Sequence, residues 1–325
     1  MVDVRVGIVT WNTAELIDRC LDALPAALGG LDAEIVVVDN ASSDGSADAA
    51  AAHPAVRVVR NPTNAGYARA MNQALDGTSA PVLLALNPDT EPAPGTLGAL
   101  VERLRAHPDA AVEVPRLVNV DGSLQHSCYR FPSIAVALAV GFVPARLQRG
   151  RIGRHWWLEG AAPHDEAGPV DWAIGAVHAI RADALDGEPA YDERWFMYVE
   201  DIELCWRVRR HGWQVRLEPD IEVVHVGNAS GAQAWGGDRA RRYWRATYDF
   251  VARSRSPFYA RLLAATNTVV AGFIAFVSRL RGALPGPRRD HLRNLSFELR
   301  QDLRTHLDAA WHGPPPPDPP PGSPA

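Results

Sequence analysis

Residues 36–46 read Val-Val-Val-Asp-Asn-Ala-Ser-Ser-Asp-Gly-Ser. A run of β-branched apolar residues stops at two polar side chains, Asp39 and Asn40, and passes at once into turn chemistry. Short, wholly apolar runs of this kind read as strands buried on both faces. The Ser-Ser-Asp-Gly-Ser tail supplies a turn and the start of a helix. The same punctuation recurs on either side. Residues 4–10 read as a strand, and Asn12 or Thr13 can cap a helix carrying Leu16, Ile17, Cys20, Leu21 and Leu24 at helical spacing. Residues 56–59 read as a third strand, 64–75 as a helix, and 82–86 as a fourth strand ending in Asn87-Pro88-Asp89. Strands alternating with helices imply an α/β fold with parallel pairing and both sheet faces covered. Ligands of such sheets sit beyond the carboxyl ends of the strands, where Thr10, Asp39, Asn40, Asn87 and Asp89 fall.

The chain has 325 residues, 47% hydrophobic and 22% charged, enough for one large α/β core with an appendage or for two modest domains. A net charge of -5 gives no bulk field favouring nucleic acid. Every basic residue among the 33 is arginine, which excludes a Schiff-base lysine and a phosphate-loop lysine. Cys20, Cys128 and Cys205 are widely separated, so a reducing compartment is expected and a thiolate metal cluster is not. Strand-like sequence begins directly after Met1, and a cytoplasmic location without export is the expectation.

Four constellations bear on chemistry. Asp39, at a strand end, can accept hydrogen bonds from a ribose or a pyrimidine ring NH, while the loop and helix start behind it offer backbone NH groups. In residues 61–72, Asn-Pro-Thr-Asn-Ala-Gly-Tyr-Ala-Arg-Ala-Met-Asn, Gly66 would let a ligand approach the backbone, and Arg69 can reach a diphosphate. Ala68, Met71 and Leu75 read as ordinary core. The Asn87-Pro88-Asp89 turn delivers one acid to the sheet edge, and oxygen ligands suit Mg²⁺ or Mn²⁺. In residues 195–207, Glu200 and Asp201 start a helix whose dipole stabilises an ionised acid able to act as general base. Each piece alone also reads as a capped turn or an amphipathic helix. His225 ends a strand after Val223 and Val224; a lone histidine is more often structural, and only the other motifs raise it.

Elsewhere the pattern is looser. Asp121-Gly122-Ser123 reads as a turn, residues 131–170 as irregular, and residues 170–225 as a second ordered block. Beyond Gly236 come Arg239, Arg241, Arg242, Tyr243, Trp244 and Arg245, then an apolar stretch over 262–277 flanked by Arg253, Arg255, Arg261, Arg279 and Arg281. That stretch falls short of the roughly 20 apolar residues a spanning helix needs, so a helix lying at the cytoplasmic membrane face is expected. Capping of the chain's own core is the competing expectation. The proline-rich end from Gly313 reads as disordered. The expected boundaries are 1–235, split into a nucleotide-binding half 1–115 and an acceptor half 116–235, then a basic helical segment 236–312 and a tail 313–325.

In combination these motifs resemble the family 2 glycosyltransferases of the GT-A fold, especially their bacterial rhamnosyltransferase-like branch. The resemblance runs over residues 4–231 and adds Gly175-Ala-Val-His-Ala-Ile180 and Val223-Val-His225 to the stretches above. It implies a nucleotide-sugar donor site formed by Thr10, Asn12, Asp39, Asn40, Asn64, Gly66, Arg69, Asn72, Asn87 and Asp89. It implies Mg²⁺ or Mn²⁺ at Asp89 and His225, and Asp201 as catalytic base with Glu200 beside it. Two positions depart from the pattern: Asn87 replaces the first acid of the metal motif, and His178 replaces an apolar residue. The implied reaction is a single inverting displacement onto a lipid-linked or other saccharide acceptor, with dTDP-L-rhamnose as the favoured donor. Galactofuranosyl or N-acetylglucosaminyl transfer, or a non-catalytic nucleotide-sugar-binding module, are the alternatives. A nicotinamide-dependent oxidoreductase is excluded, because Gly7-Ile8-Val9-Thr10-Trp11-Asn12 after the first strand holds no G-x-G-x-x-G.

Overall fold

The computed structural model of the chain describes residues 2–143, 147, 155, 164–227, 238–283, 289–314 and 316. Four parallel strands open the fold: β1 (Val4–Thr10), β2 (Ala33–Asp39), β3 (Val56–Arg60) and β4 (Val82–Leu86), in the order β3-β2-β1-β4. Central β1 sets Ile8 opposite Val37 on one side and Leu86 on the other, and all seven of its residues are buried. Helices α1 (Ala14–Leu28), α2 (Ser46–Ala51) and α3 (Tyr67–Leu75) cross between these strands. A Cβ on Gly7 would stand 2.8 Å from Leu75 Cδ2, so α3 lies this close to β1 only because residue 7 has no side chain. The carboxyl ends of β1, β2 and β4 therefore share one edge.

Parallel alternation stops after β4. Three residues, Asn87 to Asp89, lead into β5 (Thr90–Pro92), far fewer than a parallel crossover needs. Next come α4 (Thr96–Ala106), β6 (Ala110–Val118), β7 (Cys128–Tyr129), α5 (Ile134–Phe142), β8 (Gly168–Val170), β9 (Trp172–Ala173) and β10 (Val177–Arg181). A further helix, α6 (Glu200–Arg210), and the long strand β11 (Gln214–His225) complete the main sheet. Its order is β3-β2-β1-β4-β10-β6-β11-β5, with β8 beside β11. Strand β10 runs antiparallel to β4 and β6, while β11 is parallel to β6 and antiparallel to β5. The sheet is thus mixed, mostly parallel and flanked by helices: a GT-A arrangement.

The described residues fall into two compact units, one from Met1–Phe131 and Pro163–Gly236, the other from Pro132–Ala162 and Gly237–Asp318. The second unit contains α5 and three C-terminal helices, α7 (Arg239–Ser254), α8 (Pro257–Ala283) and α9 (Arg289–His312). Helix α5 lies within the segment read as irregular. It is capped by Ser133, whose Oγ accepts from Val136 N at 3.3 Å. Helix α5 groups with the C-terminal helices.

The apolar stretch over 262–277 extends in both directions into the 27 residues of α8. Its polar residues are satisfied: the Thr266 and Thr268 hydroxyls donate back to the Leu262 and Ala264 carbonyls, and buried Asn267 Nδ2 donates to Tyr248 Oη at 2.9 Å. The helix is therefore long and apolar enough to cross a membrane by length and composition, with 39% of its most apolar window buried. The argument that it is too short to span does not hold. The proline-rich tail lies outside the described residues, apart from Gly313, Pro314 and Pro316.

Candidate active site

At the carboxyl edge, Asn40 N donates to Thr10 O at 2.9 Å and locks the ends of β1 and β2 together. The Asn40 side chain braces the loop before α3. Its Oδ1 accepts from Asn61 Nδ2 and Ala65 N, both at 3.0 Å, and its Nδ2 donates to Asn64 Oδ1 at 3.0 Å and Gly66 O at 3.2 Å. Asp39 is also buried, and its Oδ2 accepts from Ser42 N at 3.1 Å. The other oxygen, Asp39 Oδ1, is buried without a partner. A buried carboxylate oxygen left unsatisfied is costly, and a ligand donor at this edge would satisfy it.

The expected cap of α1 is rearranged. Thr13 spends its hydroxyl on Thr10 Oγ1 at 2.7 Å, while Ala14 N donates to Asp44 Oδ2 at 2.9 Å and Thr13 N to Ser46 Oγ at 2.9 Å. Asn12 has a positive φ of 53°, and its Oδ1 accepts from Ser43 N at 2.8 Å. The loop after β2 thus caps the helix after β1, because the two strand ends are neighbours.

A second corner forms where β5 folds back on β11. His225 pairs with Thr90 across these strands, and Val226 N donates to Asp89 O at 2.9 Å. This places His225 Nε2 3.2 Å from Asp89 Oδ1 and 3.5 Å from Asn87 Nδ2. Both Asp89 and His225 are buried. A carboxylate oxygen and a ring nitrogen at this distance can share a proton carried on Nε2 or ligate a common cation.

The third part is the start of α6. Tyr198 and Val199 have φ of 68° and 81°. Left-handed backbone is rare for a β-branched residue and costs about 1–3 kcal/mol. The bend turns Glu200, buried, and Asp201, half-buried, into the first helical turn. Asp201 Oδ1 accepts from Ile202 N at 2.8 Å and Oδ2 from Gly175 N at 3.2 Å. Burial pushes the Asp201 carboxyl up to about 6. Burial also raises Glu200, further still because the Asp201 charge lies beside it, and Glu200 Oε2 has no partner. An acid tuned toward neutrality is suited to taking a proton at physiological pH.

Tyr67 joins these parts. Its Oη donates to Gly175 O at 3.2 Å. Burial and the charges of Glu200, Asp201 and Asp89 hold its phenol well above the ordinary range. Through Gly175, whose amide holds Asp201, Tyr67 is tied to the acid pair.

The family model for glycosyl transferase family 2 matches residues 5–152. Residues 5–152 carry a family 2 glycosyltransferase domain. This glycosyltransferase is similar to the N-acetylglucosaminyl-diphospho-decaprenol L-rhamnosyltransferase of Mycobacterium tuberculosis, with 28% identity over 311 residues, 90% of this chain and 98% of that protein. It is also similar to the low-salt glycan biosynthesis hexosyltransferase Agl10 of Haloferax volcanii, 26% identical over 227 residues, 69% of this chain and 67% of that one. Among solved structures, the mannosyltransferase PcManGT from Pyrobaculum calidifontis in complex with GDP-Man and Mn²⁺ shares the fold, with TM-score 0.56 and 18% identity over 95% of this chain and 87% of that chain.

Within the glycosyltransferase, the sequence-expected residues separate by what they touch. Asp39, Asn87, Asp89, Glu200, Asp201 and His225 stand at the edge and corners just described. Asn40 and Asn64 brace a loop. Gly66, at φ 87°, permits close approach of the protein itself: a Cβ there would lie 2.6 Å from Phe196 O, which also accepts from Tyr67 N at 2.9 Å. Asn72 is committed to the Tyr191 backbone, donating to its O at 2.8 Å and accepting from its N at 3.0 Å. Arg69 is exposed on α3. His178 is fully buried, bonded to Tyr191 Oη and Ala173 O at 3.2 Å each, and burial lowers it to about 4. It is a neutral packing residue in β10. Tyr67, Gly175 and Gln125 were not singled out from the sequence, because their roles arise from contacts between distant segments.

Proposed function

We propose that this glycosyltransferase moves a sugar, with inversion, from a nucleotide donor to a saccharide acceptor linked to a polyprenyl lipid, and that L-rhamnose from dTDP-L-rhamnose is the sugar. The observation that carries the reaction type is the buried Asp89–His225 pair beyond the strand ends, together with Asp201 held by the amide of Gly175, whose carbonyl accepts from Tyr67. The rhamnose and lipid-linked acceptor readings draw on the rhamnosyltransferase relative, which spans nearly the whole chain.

The donor set fits a divalent cation. A buried carboxylate and an imidazole facing each other at 3.2 Å suit Mg²⁺ or Mn²⁺, with remaining positions open to diphosphate oxygens and water. Asp89 and His225 would hold the ion, whose charge offsets that of the departing nucleoside diphosphate. Asp39 Oδ1 accepts a hydrogen bond from the nucleoside. Asp201 takes the acceptor hydroxyl proton as that oxygen attacks the anomeric carbon, and the Gly175 amide holds its carboxylate in place. Burial and the Asp201 charge beside it push Glu200 upward, which favours its protonated form. The strained Tyr198-Val199 bend fixes the acid pair before substrate arrives.

We place the second unit at the inner face of the cell membrane, on the strength of one exposed apolar helix face. Helix α8 exposes Leu262, Val269, Phe273, Phe276 and Leu280, whose spacing places them on one face. The deciding experiment for donor identity is release of nucleoside diphosphate across a panel of donors with a polyprenyl-diphosphate-linked acceptor. Turnover with dTDP-L-rhamnose well above all others is expected; preference for a galactofuranose or N-acetylglucosamine donor replaces the rhamnose reading.

A further inference from the structure

We infer that Gln125 is a positioning residue for His225, fixing which ring nitrogen is free to bind the cation, and that the Asp121-Gly122-Ser123 turn exists to aim it. The inference rests on the cation reading given above. Gln125 Oε1 lies 2.6 Å from His225 Nδ1. Its Nε2 donates to Asn119 Oδ1 at 3.0 Å and to the His225 carbonyl at 3.3 Å. Those two partners of Nε2 accept and cannot donate, which fixes the amide orientation. Oε1 carries no proton, so the hydrogen in the short contact belongs to Nδ1. The neutral ring is thereby held as the tautomer whose Nε2 carries the lone pair, on the side where Asp89 Oδ1 lies 3.2 Å away.

The backbone around Gln125 is built for this contact. Gln125 N donates to Leu117 O at 3.0 Å, and Leu124 bridges to Val118, so the chain doubles back at the end of β6. Asn119 N donates to Ser123 O at 2.8 Å. Asp121 Oδ1 accepts from Ser123 N at 2.9 Å and from Ser123 Oγ at 2.6 Å. Asn119 Nδ2 donates to Ser123 Oγ at 2.9 Å, which presents its Oδ1 to Gln125. On the far side Gly227 has φ 71°, and a Cβ there would stand 3.2 Å from Gln125 Nε2. Second partners of this kind set the orientation and basicity of a ligating histidine.

The test is a double-mutant cycle on the full chain, reading Mn²⁺ affinity by electron paramagnetic resonance of the free ion. Gln125→Leu is expected to weaken Mn²⁺ binding about 10–100-fold. Adding it to His225→Ala is expected to weaken binding no further, because Gln125 acts only through the ring. Wild-type affinity in a folded Gln125→Leu protein, or losses that add in the double variant, overturns the inference. Wild-type protein that binds no Mn²⁺ overturns the cation reading itself, a different result from either. A second measurement needs no variant: long-range ¹⁵N–¹H spectra of histidine-labelled, chelator-treated wild-type protein at alkaline pH. A neutral His225 protonated at Nδ1 is expected, and protonation at Nε2 overturns the assignment.

Discussion

Asp89 Oδ1 and His225 Nε2 lie 3.2 Å apart because Thr90 and His225 are partners across β5 and β11. The contact belongs to the topology as much as to the side chains. The turn after β4 is too short for a parallel crossover, so the chain reverses into a three-residue strand and meets the end of β11. Any register slip between these strands would turn one of the two groups away.

Removing this corner should remove activity. His225→Ala and Asp89→Asn are each expected to lower the transfer rate on the order of a hundredfold or more, as loss of a charge-stabilising element at a departing group does. Chelator-treated enzyme should be inactive and recover on addition of Mn²⁺ or Mg²⁺, measured as nucleoside diphosphate release. Full activity in excess chelator would remove the cation from the reaction.

Asp201→Asn is expected to cost about 10²–10⁴-fold in turnover while donor binding survives, the usual range for a lost general base. Glu200→Gln should cost less, since burial and the Asp201 charge already favour the protonated, uncharged form of Glu200. The comparison is made by kcat beside calorimetric donor affinity. Near-wild-type turnover in Asp201→Asn together with loss in Glu200→Gln would shift the base by one residue.

The acid limb of the pH profile follows from the same pair. The base must be ionised to take a proton, and burial raises Asp201 to about 6. Activity should therefore be full above that value and fall as pH drops through it. The apparent value belongs to the Glu200–Asp201 pair as a unit. A kcat/KM profile flat down to pH 4.5 would contradict it.

The four parallel strands and the strand-end acids are legible in the sequence because each is a local pattern: an apolar run, a polar stop, a turn. Leu84 and Leu86 fall on a strand, and Asp89 just past its end, from their neighbours alone. What the sequence hides is long-range. Asp44 caps the helix after β1 through a neighbouring strand end. Gly66 makes room for Phe196, and Asn72 holds Tyr191. In one dimension the polar residues at 266–268 interrupt an apolar run; in the fold two of them are absorbed by the helix's own carbonyls, and Asn267 by Tyr248. No periodicity encodes such pairings.

Glu113 offers a stability prediction away from the site. It is fully buried between β10 and β11, its Oε1 meets His107 Nδ1 at 2.8 Å, and burial and then the charge of Glu218 raise it to about 8. A folded-state value above the ordinary carboxylate one means the folded protein keeps a proton that the unfolded chain gives up. Stability should fall as pH rises from about 5 to about 8. Glu113→Gln removes that linkage, so its Tm should gain on wild type across the same window. A Tm difference that does not change with pH would refute the assignment.

The exposed face of α8 carries the last prediction. Leu262, Val269, Phe273, Phe276 and Leu280 are all more than 40% exposed, and the Phe142 ring of α5 lies 5.1 Å from that of Phe273. Exposed Arg279 and Arg281 follow at one end. A contiguous apolar face with basic residues beside it suits the boundary of an anionic bilayer, where each arginine contributes about 1 kcal/mol. Arg261, by contrast, is engaged at Ala310 O and Trp311 O, so it holds α9 in place. Val269→Glu with Phe276→Glu should reduce cosedimentation with phosphatidylglycerol-rich vesicles at least about tenfold and leave transfer to a short soluble acceptor unchanged. High salt or carbonate should release the wild-type protein from membranes. The helix has the length to span, so carbonate-resistant protein would place α8 across the bilayer instead of on it. If the paired substitution left vesicle binding intact, the face would not be the docking surface.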